Sequence, residues 1–291
     1  MTRSRLIILF SIMILAVAVF GARIRVRPPT ILLQEAPVGE LYDFELLRGQ
    51  YITIGPIEGN RTYELIAEPA SHGGSQATGF VDFPDGSWFQ LEKDTVFVAS
   101  ETEENVRMWM DIPLNDGYYN HHWLLGIALN PITPPGSREQ IQVGAYLLFR
   151  IETEAKAGVV PICAEREVVS APSMLVFEDA NPGEEITKVV ELFSGYSSSQ
   201  MAKVYPLDPS SPVAQLTILG TPGFQRLQDP SWLEYPTETV IPGTNEPGGP
   251  FPITLKIPKG EQIRRFEEIL MIETKNSQPA FIRILVTTKV N

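Results

Sequence analysis

The chain has 291 residues, a net charge of −12 and one cysteine. An acidic chain repels phosphate, which argues against nucleic acid as a partner. A single thiol permits no intrachain disulfide and no site built on paired cysteines.

Residues 6–22, LIILFSIMILAVAVFGA, carry no charge, and Arg3 and Arg5 precede them. That pattern reads as the n-region and h-region of a secretory signal. Ala16-Val17-Ala18 offers a small-x-small cleavage site. Seventeen residues, apolar but for Ser11, also reach the short end of the transmembrane range. Arg23, Arg25 and Arg27 follow at once and weaken the charge asymmetry that would orient a span. Residues 1–22 are therefore expected to form a hydrophobic helix, either a cleaved signal peptide or a retained membrane anchor. Both place the remainder outside the cytoplasm, in a periplasm or at a cell surface. No cysteine follows the h-region, so a lipid anchor there is excluded.

The rest of the chain says one thing twice. Ser87-Trp88, Thr95-Val96 and Ile112-Pro113 recur as Ser231-Trp232, Thr239-Val240 and Ile257-Pro258. The offset is 144 at the first two pairs, 145 at the third and 146 at Asn130 against Asn276. It drops to 135 at Ala145-Tyr146 against Ala280-Phe281. The drop implies an extra loop of roughly ten residues in copy one, at Pro131 to Gly136 and its sequel. Two long copies mean tandem domains, not a solenoid.

Each copy reads as β. Val106, Met108, Met110 and Ile112 alternate with Arg107 and Asp111, and Trp109 breaks the polar side. Phe251, Ile253, Leu255 and Ile257 alternate with Thr254 and Lys256. Leu147, Phe149 and Ile151 alternate with Arg150 and Glu152. Ile282, Ile284 and Val286 alternate with Arg283 and Thr287. Period two sends one face inward and one outward. Further strands are expected at 62–68, 123–129, 186–193 and 266–273. Asp85-Gly86, Asp116-Gly117, Pro182-Gly183, Pro222-Gly223 and Pro242-Gly243 mark turns. No helical period is sustained beyond the N-terminus. The expected fold is all-β: two tandem immunoglobulin-like β-sandwiches over 24–157 and 168–291, joined by a linker at 158–167. Trp88 and Trp232 are expected to open strands and pack between sheets. Cys163 falls in the linker and reads as a half-buried thiol, with an intermolecular bridge as the alternative.

Chemistry-bearing motifs are scarce. His121 and His122 are neighbours, and neighbours on a strand face opposite ways, so they do not share one ion. No nucleophile elbow, Walker loop or dinucleotide fingerprint is present. The expectation is no enzyme, no cofactor and no metal, which leaves binding. The distinctive loops are 131–142 and 242–252. Tyr118, Tyr119 and Trp123 near one turn form a candidate sugar platform, so a carbohydrate-binding accessory module is the alternative class.

The run Glu104-Asn105-Val106-Arg107-Met108-Trp109-Met110-Asp111-Ile112-Pro113 resembles the strand-then-Ile-Pro motif in the first domain of periplasmic pilus chaperones. A Trp, an apolar strand and Ile-Pro is also similar to bacterial surface modules that bind WxL-type wall proteins. The chaperone resemblance implies that the last strand of domain one lends Leu147, Phe149 and Ile151 to a pilus subunit. It also implies that Arg25 or Arg27, together with Arg150, holds the subunit's terminal carboxylate. The expectation is an exported, noncatalytic envelope protein that binds another protein. Its role would lie in pilus-like assembly or as an envelope adaptor, with membrane contact through the N-terminal helix if that helix is retained.

Overall fold

The computed structural model describes residues 24–71, 80–133, 136, 143–211, 220–227, 229–244, 246–260, 265–275 and 277–289. The expected hydrophobic helix over 1–22, Asn276 and most of the insertion at 131–142 lie outside these residues. Among the described residues no helix is long and apolar enough to cross a membrane.

The chain is built from strands. The first half runs β1 (Val26–Arg27), β2 (Thr30–Ala36), β3 (Leu41–Asp43), a short helix α1 (Phe44–Arg48), β4 (Ile52–Ile54), β5 (Arg61–Pro69), β6 (Val81–Asp82), β7 (Phe89–Leu91), β8 (Thr95–Val98), β9 (Glu104–Val106), β10 (Met108–Asp111), β11 (His122–Pro131) and β12 (Ala145–Thr153). The second half runs β13 (Val168–Ala171), β14 (Met174–Ala180), β15 (Glu185–Ser194), β16 (Gln200–Pro206), β17 (Gln225–Arg226), β18 (Leu233–Glu234), β19 (Glu238–Ile241), β20 (Gly249–Lys256), β21 (Arg265–Glu273) and β22 (Ala280–Thr288).

Each half has a large sheet of the same order. It is β2-β12-β11-β5-β8 in the first and β14-β22-β21-β16-β19 in the second. Each large sheet faces a smaller one across its own apolar core. In the second half the smaller sheet is β13-β15-β20-β18; in the first it is split into β1-β4-β9 and β3-β10-β7.

The duplication extends into residues that the spaced motifs do not cover. Chain crossing from the small to the large sheet follows Arg27 in one half and Ala171 in the other, each at a cis X-Pro bond. Ala36-x-x-Gly39-Glu40 recurs as Ala180-x-x-Gly183-Glu184. Gly39 and Gly183 both take positive φ, and their amides donate to Ile112 and Ile257, each at 2.7 Å. Ser87-Trp88 and Ser231-Trp232 end short 3-10 turns that Asp85 and Asp229 cap. The tryptophans thus precede β7 and β18 rather than open them. Trp232 is buried on Phe266, while Trp88 is half-buried among Phe83, Tyr118 and Trp123.

Two of the matching points are coincidences. Tyr63 pairs with Val96, and its counterpart Ala202 pairs with Thr239, so Val96 corresponds to Thr239. Val96 is in the core, whereas Val240 points to solvent. Leu129 and Ile272 hold equivalent places opposite Ala145 and Ala280, so Asn130 corresponds to Glu273, not to Asn276.

The expected strand 106–112 is broken at Arg107. Helix α1 explains the break. It is inserted where the second half runs straight through as β15. Asp43 caps its start by accepting from the Leu46 amide, and Gly49, at φ 63°, closes its end. Arg107 leaves the ladder to pair with Asp43 and Glu45 beside the helix. A helix of one turn shows no 3.6 period, so the pattern of apolar residues does not reveal it.

Candidate functional site

Leu147, Phe149 and Ile151 lie in the first core, each at most 2% exposed. Strand β12 is an inner strand. It pairs with β11 along its length and with β2 from Leu148 onward. Only Ala145 to Leu147 lack the second neighbour. Arg25 and Arg27 are exposed on the smaller-sheet side, where Arg27 pairs with Glu103 at 2.6 Å. Arg150 lies on the outer face of the large sheet and is buried. The structure therefore does not bring Arg25 or Arg27 to Arg150.

What buries Arg150 is the second half. The outer faces of β2, β12 and β11 meet the outer faces of β22 and β21. The polar residues that alternate with core residues on β12 and β22 thus face another sheet instead of water. Gln34 is the link. Its side-chain amide donates to Glu152 Oε2 at 3.0 Å, to the Ser173 carbonyl at 3.0 Å and to the Phe281 carbonyl at 3.2 Å. Its own oxygen accepts from Arg283 Nε at 2.9 Å. Arg283 also pairs with Glu267, which accepts from Thr221.

Arg150 forms the second link. Its Nε lies 2.7 Å from Glu152 Oε1, and its NH1 donates to the Pro279 carbonyl at 2.8 Å. Its guanidinium sits between the rings of Phe80 and Phe281, at 5.2 and 5.8 Å. Such stacking suits the weakly hydrated guanidinium. Phe281, Leu32 and Leu207 add an apolar patch between the halves.

His122 completes the network as a neutral ring. Arg150 NH2 lies 3.3 Å from Nδ1, and an arginine only donates, so Nδ1 accepts. The proton is on Nε2, which donates to the Ser170 carbonyl at 3.1 Å. Burial pushes the ring down to about 4, against the pull of Glu152. The network is thus two guanidiniums, two carboxylates and neutral polar groups. Buried pairs of this kind add little net stability, but removing one partner strands the other and is costly.

Glu167 lies beside this network and is 2% exposed. Burial pushes its carboxyl up to about 7, opposed by the Ala164 amide and Arg150. A raised folded value gives stability that is full below the ordinary 4.5 and is lost as pH rises through about 7. His122 has the opposite sign: its contribution is present above 6.5 and is lost as pH falls towards about 4. Glu167→Gln is therefore expected to raise stability at pH 8 by about 1–3 kcal/mol and to change little at pH 4.5. Urea midpoints at the two pH values check this; an unchanged midpoint at pH 8 contradicts it.

The expected sugar platform is not assembled. Trp123 is 3% exposed, inside the first core against Phe83 and Trp88. Tyr118 and Tyr119 are half-buried, the latter beneath Lys156. His121 and His122 bond to different carbonyls, of Gly117 and Ser170. Among the described residues no cluster of three metal-ligating side chains occurs. Cys163 lines a pocket of about 200 Å³ with Pro161, Leu192 and Phe193. Burial pushes its thiol up to about 12, so it stays protonated and weakly nucleophilic.

Exposed apolar side chains remain on the outer side of the small sheet of the first half and on the helix inserted into it. Leu41, Leu46, Leu47 and Leu114 are 60%, 81%, 51% and 74% exposed. Trp109, half-buried, stands on the same sheet face as Leu41 and donates its indole N–H to Asp43 at 3.1 Å. Its break in the polar side of the strand is the sequence signal for this face.

No family model matches the chain, and no curated protein matches it. Its structural neighbours include pilus chaperones at low identity. A chain from the chaperone–tip adhesin complex of CFA/I fimbriae biogenesis is 9% identical, covering 90% of this chain and 99% of that one, at a TM-score of 0.35. The class 5 fimbriae chaperone CfaA is 6% identical, covering 92% of this chain and all (100%) of that one, at 0.34. The E. coli chaperone DraB is 9% identical, covering 92% and 97%, at 0.32.

Proposed function

We propose that this chain is an exported, noncatalytic adaptor of two immunoglobulin-like sandwiches, 24–157 and 168–291, joined through 158–167. It binds another protein during assembly of a surface structure. The observation that carries the reading is the junction. Gln34, Arg150, Glu152, Arg283 and Glu267 fix the two large sheets face to face, which suits a rigid spacer between partners. The same contact favours an adaptor over a strand-lending chaperone. Phe149 and Ile151 are paired on both strand edges and face the core. Lending them would require β2 to leave its ladder and the junction to open.

Affinity capture from an envelope extract with the immobilised full chain tests the binding itself. A retained protein in stoichiometric amount is expected, and none retained contradicts the reading. Amide exchange in the captured complex separates the two modes. The adaptor keeps the Phe149, Arg150 and Ile151 amides protected. Their deprotection on binding would identify a lent strand instead.

A further inference from the structure

The second half provides an internal control for the apolar face of the first. Leu41 and Glu185 both begin the strand after the shared Gly-Glu turn, and Leu114 and Lys259 both stand two residues past the shared Ile. Trp109 pairs with Asp43 where Thr254 pairs with Thr187. Asp111 holds the place of Lys256, which bonds Glu185 and Glu234 at 3.4 and 2.5 Å. One fold thus tolerates an ordinary solvated face at these positions, with Thr187 and Thr254 bonded at 2.8 Å. Nothing in the shared architecture requires leucine there, while Trp109 also holds Asp43, the cap of α1. The insertion that adds Leu46 and Leu47 also occurs only in the first half. Large exposed apolar clusters rimmed by polar groups mark interaction sites.

We infer that this face of the first sandwich docks a segment of a partner protein whose apolar side chains are flanked by lysines or arginines. The inference deepens the adaptor reading and rests on it. Charge selects the occupant. Glu40 and Asp111 are exposed beside the leucines, and no ion pair forms with either among the described residues. The nearby Arg107 is already committed to Asp43 and Glu45. Glu185 and Glu234, the partners of Lys256, are replaced by Leu41 and Gln90, so Asp111 is left to solvent or to a cation that a partner brings. A second copy brings the same acidic rim and a net charge of −12, so it is repelled.

Two synthetic peptides with one leucine- and isoleucine-rich centre, flanked by lysines or by glutamates, test this against the full chain. Fluorescence anisotropy is expected to show the lysine peptide binding at least about tenfold tighter at low salt, with the gap narrowing at high salt. Leu41→Glu, Trp109→Thr and Leu114→Lys together install the residues of the second half, and should weaken that binding at least about tenfold. Leu46→Ser with Leu47→Ser, on exposed positions of α1, adds no charge and gives the same loss should the triple variant fail to fold. Equal binding of both peptides overturns the inference. So does undiminished binding by the variants, or a wild-type dimer in sedimentation that the variants dissolve. An envelope partner captured equally by wild type and variants would remove this face and leave the adaptor reading standing. Capture by neither would remove the adaptor reading.

Discussion

Glu152→Ala is expected to destabilise the protein by about 3–5 kcal/mol, among the largest effects of any single change. The carboxylate is fully buried and lies between Arg150 and Gln34. Its removal leaves the Arg150 guanidinium under protein without its ion-pair partner and takes an acceptor from Gln34. The cost is that of the stranded charge, not of a strong bond lost. This distinction has a check of its own. Arg150→Met with Glu152→Leu removes both charges and keeps apolar volume, so it should be nearly neutral or stabilising. Denaturation midpoints of the three proteins decide. A double variant as damaged as the single one would mean that the pair itself supplies stability.

Phe281→Ala is expected to cost about 3–5 kcal/mol by leaving a cavity where the ring packs. The ring faces away from the second core, towards Leu32, Leu207 and the Arg150 guanidinium. Ala280 and Ile282, its neighbours along β22, fill that core and stay in place. The loss should therefore fall on the contact between the sandwiches. Unfolding is expected as one transition in the wild type and as two in the variant, and urea titration followed by fluorescence and by circular dichroism would show it. A single transition at an unchanged midpoint contradicts the role given to Phe281.

Much of this fold is legible in the chain. Alternation over Phe251 to Ile257 places β20 and its inward face, and Pro182-Gly183 places the turn before β15. The Ser-Trp and Ile-Pro pairs align the two halves correctly. Thr95-Val96 does not, because a dipeptide carries no information about strand register, and one residue of slip reverses the face. Helix α1 is too short for periodicity; only its caps, Asp43 and Gly49, announce it. The junction is the least legible feature. Arg150, Glu152 and Arg283 sit at alternate positions, where polar residues normally meet water. Nothing local says that another sheet covers them. The indication lies in their neighbours: Trp123 to Leu129 and Phe281 to Val286 have almost no polar side, as in strands covered on both faces.

The junction is expected to make the two sandwiches one rigid body. Spin labels on the edge strands, at Thr95→Cys and Glu238→Cys in a Cys163→Ser background, measure it by pulsed electron resonance. One narrow distance distribution is expected in the otherwise unaltered chain, and a broad one when Glu152→Ala or Phe281→Ala is added. A broad distribution without those changes would contradict it.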